Sequence, residues 1–457
     1  MTPVSRPCAA LVVALCGCSV VIGWARLGPG TARAHATLSA LRDAPALPSG
    51  GLEGRIAFLR VAPATPQRER YDLYVCSLDG SSARCIAEGP MDAAAGPGWA
   101  PGGGRLVFGR EDSDPPPRGH GGSGLWLLDA DRGGETRLTR DVVRLDRSSR
   151  VPRSFSPRWS PDGRHVAFVR SYGDGLEGLP QRVVIADSAS GEEHEVPLSG
   201  TAGCPDRYVD TSEPSWAPEG SRLVFVEAGW LDGGDLWTTT SEAQRPKLLV
   251  YGPGQGERVP FPPDPGTRAP GGVGCPAWSP DGTRIAYCQA RPDGSEGLCI
   301  TDAQGGAPER VRSWPDIAAG EVAWSPDARR IAVALHGSDA RCEVVDVGTG
   351  DAVSVPGDVD SLSWSPDSRC LVFHKTDPPD GSYPRPDLYN SVICRVNADG
   401  TGLLQLTPEG ERDTCPAWEP VGLREQAESQ THERREVTRG RTRTTRVRYG
   451  KSDGDTT

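Results

Sequence analysis

The sequence predicts an all-β fold built from one repeated unit, on three observations. The phrase Trp-Ser-Pro-Asp-Gly begins at Trp159 and again at Trp278, and a short apolar strand follows each copy. Apolar residues make up 36% of the chain, with Gly 57 and Pro 43, which is typical of turn-rich β proteins. Looser copies of the phrase begin at Trp99, Trp216, Trp324, Trp364 and Trp418. A recurring unit of strands and turns indicates a ring or a stack.

Each unit is predicted to contain four strands. The first ends at Trp, a Ser-Pro-Asp-Gly turn follows, and the second strand has the type of residues 284–287. A third strand resembles residues 124–129, and a weak fourth resembles residues 136–139. Pro presets φ in the turn, and Gly accepts the positive φ at its exit. Four antiparallel strands repeated around an axis form the blade of a β-propeller.

The second strand can be counted directly, and the count favours seven blades, with six as the alternative. The first copy has no Trp-Ser-Pro phrase before it, and the phrase around Trp418 has no strand after it. We therefore expect the segment near Trp418 to supply the first strand of the first blade, which closes the ring and removes open sheet edges. The copies begin at Arg55, Arg105, His165, Arg222, Arg284, Arg330 and Cys370.

The full pattern resembles a known family. Trp-Ser-Pro-Asp-Gly-x-x-Ile-Ala-Phe, followed by an Asp-Ala-Asp-Gly type of turn and Leu-Thr, is similar to the TolB-type, WD40-like propeller repeat. The similarity runs from about Gly54 to Pro420. It implies the propeller fold but no single chemistry, because similar repeats occur in envelope scaffold proteins, in prolyl oligopeptidase propellers and in some lyases.

The chain is expected to divide into an export segment at 1–36, a linker at 37–50, a propeller at 51–420 and a disordered Arg-rich tail at 421–457. Arg6 precedes an uncharged apolar run, which is typical of an export signal. Three fates stay open: cleavage at a small-x-small site, lipidation at Cys18, and retention as an anchor. The expected location is the periplasm, the cell surface or the extracellular space.

Cysteine usage also fits an oxidising compartment. Three of the 13 cysteines lie in the export segment, and the remaining ten form an even set. Three pairs on neighbouring predicted strands are candidates for cross-strand disulfides. The alternative is free, buried cysteines that pack as small apolar groups. The candidate pairs are Cys76 with Cys85, Cys288 with Cys299, and Cys370 with Cys394.

The charge pattern restricts the partners. A net charge of -11 argues against a general nucleic-acid binder, because nothing outside the tail offers a basic surface to phosphates. Membrane contact is expected only through the N-terminal segment. The tail is expected to be solvated, and adhesion to an acidic polymer is its alternative role. A monomer is expected.

Strand direction sorts the loops onto two faces. The Ser-Pro-Asp-Gly and Asp-Ala-Asp-Gly turns share one face, which we call the turn face, and the long insertions share the opposite one, the long-loop face. Long loops on a rigid scaffold often carry binding residues. The insertions are Glu111 to Gly124, Arg140 to Ser154, Tyr172 to Arg182, Ser199 to Glu213, Tyr251 to Gly274 and Thr376 to Asn390.

Four aromatic residues of these insertions are the candidate ligand contacts: Trp230, Tyr208, Phe261 and Tyr383. For each of them, packing against its own loop is the alternative. The seven repeat tryptophans are expected to act differently, as wedges between blades. Ca²⁺ is the one cofactor considered, with Asp131 and Asp399 in turns, although neither residue lies in a complete Asp-x-Asp-x-Asp-Gly loop.

An enzyme is the less favoured prediction. No Gly-x-Ser-x-Gly elbow of a serine hydrolase occurs. A metal-dependent polysaccharide lyase or hydrolase would need several histidines, and only His336 and His374 follow equivalent strands in adjacent blades. The sequence therefore predicts an exported, non-catalytic propeller that binds an envelope or extracellular protein or polymer. The metal-dependent enzyme is the alternative.

Overall fold

A computed structural model describes fifteen segments of the chain, and the structural statements below refer to them. They are residues 11–16, 19–24, 54–62, 70–111, 123–139, 152–171, 181–198, 209–229, 247–252, 258–260, 273–291, 295–315, 317–337, 339–377 and 390–420.

Apart from Leu11–Cys16 and Ser19–Trp24, the described strands fall into seven four-stranded antiparallel sets, numbered here as sheets 1 to 7 in chain order. Single pairs, Met91 with Arg110 and Arg153 with Ser123, join the edges of sheets 1 to 3. Within each set the strands are called inner, second, third and outer. The inner strands are Asp413–Trp418, Gly98–Trp99, Arg153–Trp159, Val209–Trp216, Val273–Trp278, Ala318–Trp324 and Asp358–Trp364. The second strands are Ile56–Val61, Arg105–Glu111, His165–Ser171, Leu223–Gly229, Arg284–Ala290, Arg330–His336 and Cys370–Asp377. The third strands are Tyr71–Cys76, Ser123–Asp129, Gln181–Asp187, Lys247–Tyr251, Glu296–Asp302, Arg341–Asp346 and Asn390–Asn397. The outer strands are Arg84–Met91, Glu135–Arg137, Glu193–Glu195, Arg258–Pro260, Glu309–Trp314, Ala352–Pro356 and Leu404–Gln405.

The sheets form a closed series. Each inner strand contacts the inner strand of the next sheet, and the series returns from sheet 7 to sheet 1. Sheet 1 combines both ends of the repeat region, because Ile56 pairs with Trp418 and Ala57 with Ala417. The predicted propeller class and the closure by the strand near Trp418 are confirmed. The choice of seven blades over six stays a prediction that this pairing favours.

The second strands are the most buried elements, and this explains the repeated Ile-Ala-Phe pattern. In sheet 1, Ile56, Ala57, Phe58 and Leu59 are all fully buried. Alternate residues of this strand belong to different apolar clusters, one on each side of the sheet. A strand that is covered on both faces has a continuous apolar sequence rather than an alternating one. The core therefore lies between neighbouring sheets.

The Ser-Pro-Asp-Gly turn is held by its own side chains. Ser160 Oγ donates to Asp162 Oδ1 at 2.6 Å and accepts from His165 N at 2.9 Å. Gly163 takes a φ of 68°, which an L residue adopts only with strain. Ala328 and Ser368 occupy the corresponding position in sheets 6 and 7, with φ of 57° and 61°. These departures from the repeat keep the turn geometry, at a cost in backbone strain.

A β-bulge interrupts most inner strands three residues before the Trp. The pairing register shifts there, for example between Ser212 and Ser215 and between Gly274 and Ala277. A bulge leaves backbone groups without their ladder partners. The residues three before the Trp that have a positive φ are Ser156, Glu213, Cys275, Ser361 and Cys415.

The two faces are arranged largely as predicted. The connections between inner and second strands, and between third and outer strands, leave from one end of the sheets, and the longer connections leave from the other. Two insertions need correction. Val209–Trp216 is a strand that begins inside the Ser199 to Glu213 insertion, and Arg258–Pro260 is an outer strand inside Tyr251 to Gly274. In the latter, only the part after Pro260 leaves from the long-loop face.

The two strands nearest the N-terminus, Leu11–Cys16 and Ser19–Trp24, pair antiparallel with each other. Among the described segments, no helix has the length and apolar character needed to cross a membrane. Cys18, the candidate lipidation site, lies outside the described residues.

The predicted disulfides are not formed. The register places Cys288 opposite Leu298 and Cys299 opposite Tyr287, so the two thiols point to opposite faces of sheet 5. Cys370 and Cys394 are separated in the same way, opposite Asn397 and Phe373. These two predictions are wrong because the face of each residue depends on a register that the sequence does not reveal.

Cys76 and Cys85 share a face of sheet 1, because Cys85 lies opposite Tyr74. Both are nevertheless free thiols, so this predicted pair is not formed either. Burial raises the pKa of Cys76 to about 12. A thiol that stays protonated at neutral pH is a poor nucleophile for disulfide exchange.

Candidate functional site at the long-loop end of the ring

The predicted ligand contacts fall outside the part of the chain that the structure describes. This applies to Trp230, Tyr208, Phe261 and Tyr383, which stay predictions. The two aspartates considered for Ca²⁺ are used within the fold: Asp131 pairs with Arg55 at 2.8 Å, and Asp399 accepts from Thr401 Oγ1 at 2.6 Å.

The repeat tryptophans lie at the contacts between sheets. Six are buried, and Trp159 is partly buried. In five of them, indole Nε1 donates a hydrogen bond to a backbone carbonyl of the preceding sheet. The acceptor is the residue just before that sheet's own repeat Trp, as when Trp324 donates to Ala277 O, next to Trp278, at 3.0 Å. The other bonds join Trp99 to Ala417, Trp159 to Gly98, Trp216 to Arg158 and Trp364 to Ala323. These bonds link the inner strands of successive sheets.

Cations cover several of these indole rings. The guanidinium that opens a second strand stacks on the Trp of the next sheet, at 5.0 Å from the ring centroid for Arg55 over Trp99 and 4.7 Å for Arg222 over Trp278. The same contact joins Arg105 to Trp159 and Arg284 to Trp324. Such contacts add to the apolar packing between sheets.

Replacing Trp324 by Phe is expected to destabilise the protein more than replacing Trp278, by about 1 kcal/mol. Both side chains are buried and stack under an Arg, but Trp278 Nε1 has no hydrogen-bond partner among the described residues. Only W324F therefore removes a bond, the one to Ala277 O. Chemical denaturation of W324F and W278F measures the difference. Equal losses would show that the indole bond contributes nothing.

A cluster of acidic and imidazole side chains joins sheets 6, 7 and 1 near the long-loop end of the inner strands. His336 ends the second strand of sheet 6 and is nearly buried. Its Nδ1 lies 3.0 Å from Asp358 Oδ1, and its Nε2 lies 3.2 Å from Asp360 Oδ1. Asp360 Oδ2 also lies 3.9 Å from His374 Nε2, and Thr414 Oγ1 lies 3.4 Å from His374 Nδ1. We call these five residues the His–Asp cluster.

The two imidazoles have different environments. Both ring nitrogens of His336 face carboxylate oxygens, which favour the charged form of this imidazole. Burial lowers the pKa of His374, although the charges of Asp360 and Asp358 oppose this shift. The two imidazoles therefore share the Asp360 carboxylate, and burial disfavours a proton on His374.

Largely buried carboxylates lie beside the cluster and bond to backbone amides of the inner strands. Glu296 Oε2 accepts from Ala319 N at 2.7 Å, and Glu321 Oε2 accepts from Leu362 N at 2.8 Å. Glu213, on the inner strand of sheet 4 and away from the cluster, accepts from Cys275 N in the same way. Burial raises the pKa of Glu296 to about 7, against the opposing effects of the Ala319 bond and the His336 charge. Burial also raises the pKa of Glu321, which Arg158 opposes.

A cavity of about 400 Å³ lies along the inner strands toward the turn face. Its walls are the Trp-Ser-Pro segments together with bulge residues such as Ser361 and Cys415. Glu321 and Arg158 are the charged side chains of the lining. The cavity and the His–Asp cluster thus share the inner strands of sheets 7 and 1.

The pair His336 and His374 was the one histidine signal in the sequence, and the structure brings the two residues together through Asp360. Asp358, Asp360, Glu296 and Glu321 belong to no sequence motif and were not predicted. The bulges had a usable signal: Pro follows the bulge residue in Ser156-Pro157 and Cys275-Pro276, and Pro lacks the amide that a strand ladder would need.

Within the described segments, no group of three or more His, Cys, Asp and Glu side chains has the arrangement needed to hold a metal ion.

Comparison with known proteins supports the fold. No family model matches the chain. The uncharacterized peptidase YuxL of Bacillus subtilis is 22% identical over 256 residues, which cover 55% of this chain and 34% of that protein. The chain thus spans about a third of the length of this curated relative.

Two solved structures are similar. A puromycin-hydrolyzing peptidase of Mycobacterium tuberculosis has a TM-score of 0.53 and 16% identity, covering 83% of this chain and 53% of that one. TolB of Acinetobacter baumannii has a TM-score of 0.45 and 17% identity, covering 81% and 68%. At these identities the comparisons concern the fold alone. The peptidase, with a TM-score above 0.5, is consistent with the propeller fold predicted from the repeats.

Proposed function

We propose that this chain is an exported, non-catalytic β-propeller that binds a protein or polymer partner of the cell envelope through its long-loop face. One observation carries the proposal: the longer connections between described strands leave from one end of the sheets, and short turns close the other end. Rigid scaffolds commonly place binding residues on such connections.

The turn face offers a partner fewer free groups. Its side chains are used in the turns, as in the Ser279 to Asp281 and Ser365 to Asp367 bonds of 2.6 Å. Its tryptophans are covered by neighbouring sheets and by arginines. The long-loop face also carries Asp358, about half exposed, at the edge of the His–Asp cluster. Polar side chains of this kind fix the orientation of a bound partner.

The test is cross-linking in cells followed by recovery of the exported protein. One variant has residues 261–272 replaced by Gly and Ser at equal length, between the strands Arg258–Pro260 and Val273–Trp278. The matched control is Arg164→Glu, which changes a 78% exposed side chain on the turn face. Thermal unfolding of each variant verifies that it folds.

We expect the wild-type protein and the Arg164→Glu control to recover the same envelope partner and the loop variant to lose it. Equal recovery by all three proteins would contradict the use of this part of the long-loop face. Recovery of no partner would contradict the binding proposal, and assays of polysaccharide cleavage would then test the enzymatic alternative.

A further inference from the structure

The His–Asp cluster lies where the ring closes. Sheet 1 is the one sheet built from both ends of the repeat region, and its inner strand contributes Thr414. The remaining members come from the two sheets that precede it: His336 from sheet 6, and Asp358, Asp360 and His374 from sheet 7. Within sheet 7, Asp360 and His374 are direct cross-strand partners. A change of charge here therefore acts on the contacts between three consecutive sheets.

We propose that the His–Asp cluster is a proton-operated latch, which holds sheets 6, 7 and 1 together at neutral pH and loosens them in mildly acidic solution. The latch is separate from the proposed docking function and needs no partner. Its chemistry is a single proton uptake by His374.

At neutral pH the charges of the cluster are partly balanced. The His336 imidazole lies between the Asp358 and Asp360 carboxylates, which favour its charged form, and His374, whose charged form burial disfavours, lies against Asp360 and Thr414. A proton on His374 would place a cation in a buried position beside His336, which also disfavours that charge. Removing a charge from water without full compensation is unfavourable.

Further charged groups face the cluster from other elements. Glu296, on the third strand of sheet 5, interacts with the His336 charge. Glu321, on the inner strand of sheet 6, interacts with the Asp360 charge and with Arg158 of sheet 3. Glu296 bonds to Ala319 N, so its effect falls on the contact between sheets 5 and 6 rather than on the closing sheets.

The sign of the effect follows from the two pKa shifts. The pKa of His374 is lowered in the closed ring, so an open or unfolded state binds the proton more readily. Stability from this group is present above its ordinary pKa and is lost as the pH falls toward the lowered value. Glu296 has the opposite effect: with its pKa raised to about 7, the closed ring gains stability as the pH falls through that value.

Hydrogen–deuterium exchange at about pH 7.5 and about pH 5.5 tests the latch in the full-length protein. The readout is the protection of the inner strands Asp358–Trp364 and Asp413–Trp418, divided by that of Arg153–Trp159 in the same sample. The ratio removes the intrinsic dependence of exchange on pH. The proteins are wild type, His374→Gln, Glu296→Gln and the control His194→Gln, an exposed histidine of sheet 3.

In the wild type and in His194→Gln we expect the ratio to fall on acidification, by up to about tenfold, the change that one pKa unit produces. His374→Gln should abolish the fall, and Glu296→Gln should leave it in place. A wild-type ratio that does not change with pH would overturn the proposal, even if the His374 variant failed to fold. An equal fall in a folded His374→Gln variant would also overturn it.

Discussion

A chain that ends after Arg412 is expected to lose its cooperative unfolding transition, whereas a chain that ends after Pro420 is expected to keep it. The first truncation removes Asp413–Trp418, which is the inner strand of sheet 1. The second removes only residues beyond the described segments, for which the sequence predicts no packed core. Circular dichroism during heating distinguishes the two outcomes.

The short segment has a large effect because it makes contacts on several sides. Asp413 forms two bonds with Arg60, and Trp418 is buried against sheet 7. Ala417 O accepts from the indole of Trp99 in sheet 2. Glu419 forms a bidentate ion pair with Arg55, at 2.8 Å for each bond, and also accepts from Gly104 N. Loss of the segment thus removes contacts to sheets 1, 2 and 7 together.

The expected energy is comparable with the whole stability of a domain. Removing a buried Trp costs about 3–5 kcal/mol, and breaking a buried ion pair costs about 3–5 kcal/mol. A typical domain is stable by only about 5–15 kcal/mol. The truncation also exposes the edge of the apolar strand Ile56–Val61, which favours aggregation. A normal transition in the chain that ends after Arg412 would show that ring closure contributes little.

The repeat made the architecture predictable, because its information is local. The turn chemistry around Trp159 and Trp278 fixes the phase of the strands in every unit, so that even the displaced strand near Trp418 could be assigned. Tight turns and runs of apolar residues need only neighbouring residues to be interpreted. The same applies to the division of the connections into two faces.

Register and contacts between sheets were not predictable in this way. Cys288 and Cys299 lie on opposite faces of sheet 5 because Cys288 pairs with Leu298. A shift of the pairing by one residue would place both cysteines on the same face. In the His–Asp cluster, Asp360 lies between His336 and His374 because the inner strand of sheet 7 lies between two second strands. No sequence motif encodes that placement.

Replacing Asp413 by Ala is expected to destabilise the protein by about 3–5 kcal/mol, because Arg60 would lose its buried partner. The Asp413 carboxylate is fully buried and binds the guanidinium through two oxygens, at 2.7 and 2.9 Å. Burial alone would lower the pKa of Arg60, but the hydrogen bonds and the charge of Asp413 raise the pKa of this guanidinium above its ordinary value. The guanidinium also stacks on Tyr74, 4.9 Å from the ring centroid, so it cannot easily turn to water.

The matched control is Glu411→Gln, since Glu411 pairs with the same guanidinium from a position that is 44% exposed. An exposed pair is screened by solvent, so this change should cost about 0–1 kcal/mol. Adding Arg60→Met to Asp413→Ala should recover part of the lost stability, because the unpaired charge disappears and Met keeps much of the apolar contact with Phe58 and Tyr74. Denaturant unfolding of the four proteins completes the comparison. Equal losses of unfolding free energy in Asp413→Ala and Glu411→Gln would contradict this prediction. A further loss of stability when Arg60→Met is added to Asp413→Ala would also contradict it, because the buried charge would then not be the cause.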